Sequence, residues 1–324
     1  VNDTPNPEKT LPETLFEAIR YFAEGDNALR FMVSLRWPDG VVRCPRCHHK
    51  DVRFLKTRQI WECKTCVTKR QFSVKVGTVF EDSPIPLDKW LCAIWLLVNA
   101  KNGISSYELH RSLGVTQKTG WFMLQRIRLA MQTGSFVTFK GQVEADETYI
   151  GAKARYMHKH RRTGVGHAGL MKTPVQGLLE RASEGRHSRV KLKVLRTNRK
   201  TEIQEMVRDI VEHGSAVYTD SLRSYDDLND NYAHQVIDHL ETYAKGAVHT
   251  NGLENFWSLF KRALKGTYVS VEPFHLFRYC DEQAFRFNER KDTDVGRFVS
   301  AVAGVFGKRL RYAGLTGKTT LASN

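Results

Sequence analysis

The sequence predicts an α+β chain of several domains. A small metal-held ribbon and a helix-turn-helix come first, and an α/β domain with a mixed sheet follows. Three observations predict this. Two Cys-x-x-Cys knuckles, Cys44-Pro-Arg-Cys47 and Cys63-Lys-Thr-Cys66, are separated by fifteen residues. Two helical patterns, over 105–113 and 116–131, are punctuated by Gly114. From about Phe136 the texture changes to short apolar runs in the order β-β-β-α-β, which calls for a mixed sheet with helices packed on it.

The first segment, 1–40, is read as helical after an irregular start containing Pro5 and Pro7. Leu11, Leu15, Ile19 and Phe22 recur at helical spacing, so one helix is expected over 11–35. The ribbon, 41–80, carries the four cysteines among short β-like pieces, VRFLKT, QIWEC and RQFSV. Each knuckle presents two thiolates on one tight turn. Cys44, Cys47, Cys63 and Cys66 together complete a closed tetrahedral site for one structural Zn²⁺. Four free or redox thiols are the alternative. His48 and His49 stand by as substitute ligands or surface contacts, and Cys92 and Cys280 fall in apolar helical stretches and read as packing residues.

SPIP at 83–86 marks a boundary, and a helix over 87–100 opens the helix-turn-helix region, 84–135. Its last helix begins Thr116-Gln117-Lys118-Thr119, short polar and basic side chains suited to a DNA groove, with Arg126 and Arg128 further on to reach phosphates. A plain helical packing module is the alternative. In the α/β region, 136–292, strands are expected near 141–149, 173–182, 189–196 and 215–219, with a helix over KTEIQEMVRDIVEH between the last two. Residues 148–179 contain no Asp or Glu but carry Arg161, Arg162 and four more basic residues, and 185–201 carry seven Lys or Arg without an acid. Both stretches are expected to hold DNA backbone. The segment 293–324 reads as a basic C-terminal tail.

Lys and Arg outnumber Asp and Glu by 50 to 35, for a formal charge of +15, which favours a polyanionic partner, nucleic acid before membrane. The longest apolar run, Trp90 to Val98, is too short to cross a bilayer. VNDTPNPEKT has no apolar core of an export signal, so the expected location is the cytoplasm, beside the nucleoid.

Three acids stand out in this basic chain. Asp146 interrupts a strand-like run in VEADETYIG, Asp220 ends one in AVYTDSLRSY, and Glu254 opens an amphipathic helix in HTNGLENFWSLFKR. A carboxylate in a buried strand costs several kcal/mol unless it is paired or binds a metal. Oxygen ligands suit Mg²⁺ or Mn²⁺, and two such ions activate a water or a 3′-hydroxyl for in-line displacement at phosphorus. Local alternatives exist for each. Glu144, on the face of Asp146 under strict alternation, and Glu147, on the other, compete with it. Asp220 has the form of a helix N-cap, and Asn251 with Glu254 has the form of a capping box. Lys261 lies seven residues after Glu254 on the same helix face, placed to hold a phosphate, while Trp257 and Phe260 read as core.

With these residues the chain resembles bacterial insertion-sequence transposases of the DDE class, in the branch with an N-terminal zinc ribbon. The likeness runs from CPRC to FNERK at 287–291, through RQFSVKVGTVFEDSPIPLDKW, GISSYELHRSLGVTQKTGWFMLQRIR, VEADETYIGAK, VYTDSLRSY and HTNGLENFWSLFKR. The resemblance implies a ribonuclease-H-like catalytic domain that cleaves DNA with two metal ions and transfers the strand. It makes Asp146, Asp220 and Glu254 the metal ligands and Lys261 the accompanying basic residue, with Asn251 the reserve for the third ligand. It further implies binding of double-stranded transposon ends and target DNA by at least a dimer. The rivals are a nuclease of the same fold that does not join ends, and a DNA-binding regulator without catalysis.

Overall fold

The structure, a computed structural model, describes residues 11–132, 138–151, 172–220, 223–237 and 249–316. Arg161 and Arg162, with the rest of 152–171, lie outside the described residues. The chain divides into two compact units, residues 1–132 with 292–324, and residues 133–291.

In the first unit, α1 (Leu15–Ala23) opens on a capping box in which Thr14 Oγ1 accepts from the Glu17 amide at 3.3 Å and the Glu17 carboxylate accepts from the Thr14 amide at 3.2 Å. α2 (Asn27–Arg36) follows. The single helix expected over 11–35 is therefore two, because Gly25 adopts a left-handed φ of +45° between them. β1 (Val52–Leu55), β2 (Ile60–Cys63) and β3 (Gln71–Phe72) form an antiparallel meander. Its small core stacks Trp61 on Phe72 at 5.9 Å, with Trp37 edge-on at 5.8 Å. α3 (Leu87–Asn99) buries residues on every side and is a core helix. α4 (Ser106–Leu113) is capped by Ser105 and Glu108 and ends at Gly114, φ +59°. α5 (Gln117–Met131) is N-capped by Thr116.

In the second unit, β4 (Gln142–Ile150), β5 (Thr173–Glu180) and β6 (Arg189–Val194) are antiparallel neighbours. After α6 (Lys200–Ile210), β7 (Ala216–Asp220) pairs parallel with β4, and β8 (Ala233–Ile237) parallel with β7, giving the order β6-β5-β4-β7-β8. β8 is an edge strand of mixed character, AHQVI, and gave no sequence signal. α7 (Asn251–Ala263) and α8 (Leu276–Asn288) complete the unit. The sheet has a core on each face. Val143, Ala145, Leu178 and Val217 pack with Ile203, Met206 and Val207 of α6, while Val175, Leu179 and Val190 pack with Leu253, Phe256, Trp257 and Phe260 of α7 and with α8.

The last elements among the described residues, α9 (Asp294–Ala303) and α10 (Tyr312–Leu315), belong to the first unit. This corrects the reading of 293–324 as a tail over its described part, 293–316. Thr293 caps α9, and Phe298 is fully buried among Phe22, Phe31 and Trp95 at ring separations of 5.6, 5.5 and 5.0 Å. The apolar run FVSAV inside TDVGRFVSAVA carries that signal; the basic residues after it hid it.

Candidate active site

Alternation along β4 sends Val143 and Ala145 into the α6 core and turns Glu144 and Asp146 to the α7 side. Asp146 Oδ2 accepts a hydrogen bond at 2.9 Å from the indole Nε1 of Trp257, a core residue whose polar edge reaches the site. Directly across the ladder from Asp146 stands Gly177, where a Cβ would lie 2.7 Å from the Trp257 ring. The missing side chain on β5 is what lets the indole come down to the aspartate. β7 runs parallel beside β4 with Glu144 opposite Tyr218. Carried two residues on, that register brings Asp146 level with Asp220 at the strand end.

Glu254 lies in the first turn of α7 and is exposed. The capping box that Asn251 and Glu254 offered as a local alternative does not form. The N-cap is Thr250, one residue earlier, so Glu254 is a position too late to reach back. Asp146 senses the charges of the other two acids. Burial first, then the charge of Asp220, and more weakly that of Glu254, push the Asp146 carboxyl up to about 6, against the pull of the Trp257 hydrogen bond. Their oxygens are not drawn together as tightly as a cation would hold them. Among the described residues, the four cysteines are the group whose ligand atoms all lie within 4.8 Å.

Glu147 faces the opposite way, where it accepts from the fully buried Tyr225 hydroxyl. Burial, with the charges of Asp146 and Asp220, pushes it up to about 8 in spite of that bond. A carboxyl with a raised folded pKa binds its proton more tightly in the folded state. Its ionisation therefore costs stability as pH rises from about 4.5 to about 8, at roughly 1.4 kcal/mol per pH unit. Glu147→Gln keeps an acceptor for Tyr225 and cannot ionise. Its melting temperature should exceed that of the parent at pH 9 and approach it near pH 5, in buffer free of divalent ions. A difference that does not change with pH would contradict this environment for Glu147.

In the first unit, Cys44 and Cys63 are buried, Cys47 and Cys66 half-exposed. Their sulfurs stand 3.7 Å (Cys44–Cys66), 3.5 Å (Cys47–Cys63) and 3.4 Å (Cys47–Cys66) apart. A tetrahedral ion with bonds of ~2.3 Å to sulfur requires separations of ~3.8 Å. The donor set and its spacing thus fit a zinc ribbon. The amides of the second knuckle help to form thiolate there. Although burial opposes it, hydrogen bonds from the Cys66 and Thr65 backbone hold Cys63 down at about 6.

Comparison with known proteins finds two family domains in the chain. Residues 24–69 match the model of a transposase zinc-ribbon domain, and residues 138–288 match that of an ISXO2-like transposase domain. A Halobacterium salinarum protein, named an uncharacterized protein in transposable element ISH50, is 30% identical over 262 residues, 76% of this chain and 85% of the relative. The chain belongs to this family of insertion-sequence transposases. An uncharacterized transposase-like protein of Haemophilus influenzae is 36% identical over 84 residues, 26% of this chain and 68% of that protein.

The transposase domain, 138–288, holds Asp146, Asp220, Glu254, Asn251 and Lys261. Lys261 is exposed two turns along α7 from Glu254, and Asn251 is exposed at the helix start. Two residues expected at DNA lie elsewhere. Arg126 is 5% exposed and donates to the carbonyls of Val79 and Glu81, each at 2.9 Å, and Arg128 is 1% exposed. α5 packs against α3, α4 and α9, so nearly all its sides are covered and its arginines are held inside the unit. Of the leading residues of α5, Thr116 and Thr119 bond each other at 2.8 Å, Gln117 bonds Ser106 at 2.8 Å, and Lys118 is exposed. Sequence reasoning missed the parts that brace the acids: Glu144 as an anchor, Arg181, Gly177, and the Trp257 indole as a donor. No helix among the described residues is long and apolar enough to cross a membrane.

Proposed function

We propose that this chain cuts transposon ends and joins them to target DNA by metal-dependent phosphodiester chemistry on a ribonuclease-H-like domain. The observation that carries the reading is the placement of Asp146 in β4, Asp220 at the end of the parallel neighbour β7 and Glu254 in the first turn of α7, with the charges of Asp220 and Glu254 adding to burial in raising the Asp146 carboxyl to about 6. A cluster of like charges kept against its own repulsion is the signature of a cation or a catalytic role. The donor set is three carboxylates, hard oxygen ligands that fit Mg²⁺ or Mn²⁺. The sheet order β6-β5-β4-β7-β8, antiparallel in its first three strands and parallel beyond, with helices on both faces, supports the ribonuclease-H-like reading.

Asp146, Asp220 and Glu254 would hold two divalent ions, with Asn251 the reserve for the third position. Such ions lower the pKa of an attacking water and stabilise the charge on both oxygens of an in-line displacement. The Trp257 indole holds Asp146 by a hydrogen bond, and Lys261, exposed on α7, would take a phosphate of the bound strand. In the first unit, Cys44, Cys47, Cys63 and Cys66 would hold one Zn²⁺. The α4–α5 pair would serve as a helix-turn-helix, with Lys118 the side chain placed to meet the double-stranded terminal repeat. Handling two ends at once calls for at least a dimer on DNA.

The test is an assay of labelled terminal-repeat DNA with Mn²⁺, scoring cleavage and joining separately. Glu254→Gln should lose both activities by about 100-fold or more, since even outer partners of a bound metal are worth ~10–100-fold. Its melting temperature should move little, because Glu254 is exposed and makes no capping box. Cleavage without joining in the parent protein would replace the transposase reading with that of a nuclease. Full activity in Glu254→Gln would remove Glu254 from the site.

A further inference from the structure

Glu144 is 1% exposed and sits two residues before Asp146 on the same face of β4. A buried carboxylate is retained only where its oxygens are well partnered. Here Oε2 accepts from the Leu253 amide in the first turn of α7 at 2.9 Å, and Oε1 accepts from Arg181 Nε at 2.8 Å, with His249 Nδ1 at 3.5 Å. Arg181 also donates to the His249 carbonyl, just before the helix, and its guanidinium lies 4.4 Å over the Tyr218 ring. Its own place is therefore fixed by the neighbouring strand.

Two further observations give this contact a purpose. The N-cap residue of α7, Thr250, makes no side-chain capping bond, so a glutamate from the sheet supplies what the local sequence does not. Gly252 makes room for it: a Cβ there would lie 2.8 Å from Glu144 Oε2 and 3.1 Å from Oε1. The second anchor of α7 is Trp257, bonded to Asp146. Leu253 and Trp257 are one helical turn apart, about 6 Å along the axis, and Glu144 and Asp146 span about 6.7 Å of strand. The two spacings match, so the helix is pinned along β4 at two points with Glu254 between them.

We infer that Glu144 is a positioning residue that sets Glu254, by capping α7 from the sheet and fixing its first turn. The inference rests on the reading of Glu254 as a metal ligand. It makes Gly252 and Arg181 parts of the same device, one by giving way and one by holding the carboxylate.

A double-mutant cycle on Mn²⁺ affinity tests it, with the full chain titrated by calorimetry with MnCl₂ and melted in parallel to establish folding. Glu254→Gln should weaken Mn²⁺ binding about tenfold or more, and Glu144→Ala should weaken it by ~10–100-fold, the range for outer partners of a metal. The double variant should be no weaker than the worse single one, because both remove the same ligand. Losses that multiply, or wild-type affinity in Glu144→Ala, overturn the inference and leave Glu254 as a ligand. Wild-type affinity in Glu254→Gln overturns the ligand reading itself, and this inference with it. Should Glu144→Ala fail to fold, Gly252→Ala takes its place, and wild-type affinity in the folded Gly252→Ala protein is then the overturning result.

Discussion

Asp146→Asn is expected to give a protein that is inactive and more stable than its parent. Cleavage of terminal-repeat DNA should fall by more than about 100-fold, beyond the ~10–100-fold typical of residues one shell further from a metal. The gain in stability follows from the raised pKa. In the folded state Asp146 titrates at about 6, against 3.8 for an ordinary aspartate, so the parent loses stability as pH rises through that interval and does not regain it above. At pH 7.5, without divalent ions, asparagine is spared that loss, on the order of 3 kcal/mol. Its amide oxygen can still accept from Trp257. At pH 4 the difference should shrink to well under about 1 kcal/mol. Melting curves at the two pH values, beside the cleavage assay, check both halves. A variant that is less stable at pH 7.5 would mean that Asp146 is a structural partner of Trp257, held for the fold. Full cleavage in the same variant would remove Asp146 from the catalytic site, and no metal-dependent cleavage in the parent would favour the non-catalytic regulator.

That the aspartate matters could be seen in the sequence; what holds it could not. The four strands expected in the second unit, β4 to β7, lie within about two residues of their expected places, while β8 gave no such signal. The cysteine set was legible because its chemistry needs only spacing. Alternation alone also separated Glu144 and Asp146 from Glu147 correctly, as their bonds to α7 and to Tyr225 show. The rest depends on residues distant in sequence. Glu144 meets Leu253 across 109 positions and Asp146 meets Trp257 across 111. No periodicity encodes such a pair, and Gly177 and Gly252 have meaning only once the Trp257 ring and the Glu144 carboxylate are in place. Arg126 and Arg128 failed for the opposite reason. A basic residue on a helix is ordinarily exposed, and only the packing of α3, α4 and α9 around α5 makes these two internal donors. The capping box weighed for Asn251 and Glu254 does not form because the helix start lies one residue earlier, at Thr250.

Removal of zinc is expected to unfold the ribbon and leave the second unit intact. The three ribbon strands cover four, four and two residues, and their core amounts to Trp37, Trp61 and Phe72 around two buried cysteines. A sheet of that size is marginal in water, whereas structural zinc contributes ~10–16 kcal/mol in zinc-finger peptides. The thiols themselves need the ion. While Cys63 is held down at about 6, the hydrogen bond with Cys47 and then burial push Cys66 up to about 12, so four thiolates at neutral pH require a cation among them. Purified protein should carry one zinc per chain by elemental analysis. Chelation, or Cys63→Ser, should abolish amide-exchange protection over Val52–Phe72 while β4, β5 and β7 keep theirs, and should abolish binding of terminal-repeat DNA if the ribbon takes part in it. Retained protection in zinc-free protein would mean that the aromatic core suffices and that the four cysteines serve another chemistry. Lost protection with retained DNA binding would move recognition of the ends away from the ribbon, with the α4–α5 pair the next surface to test.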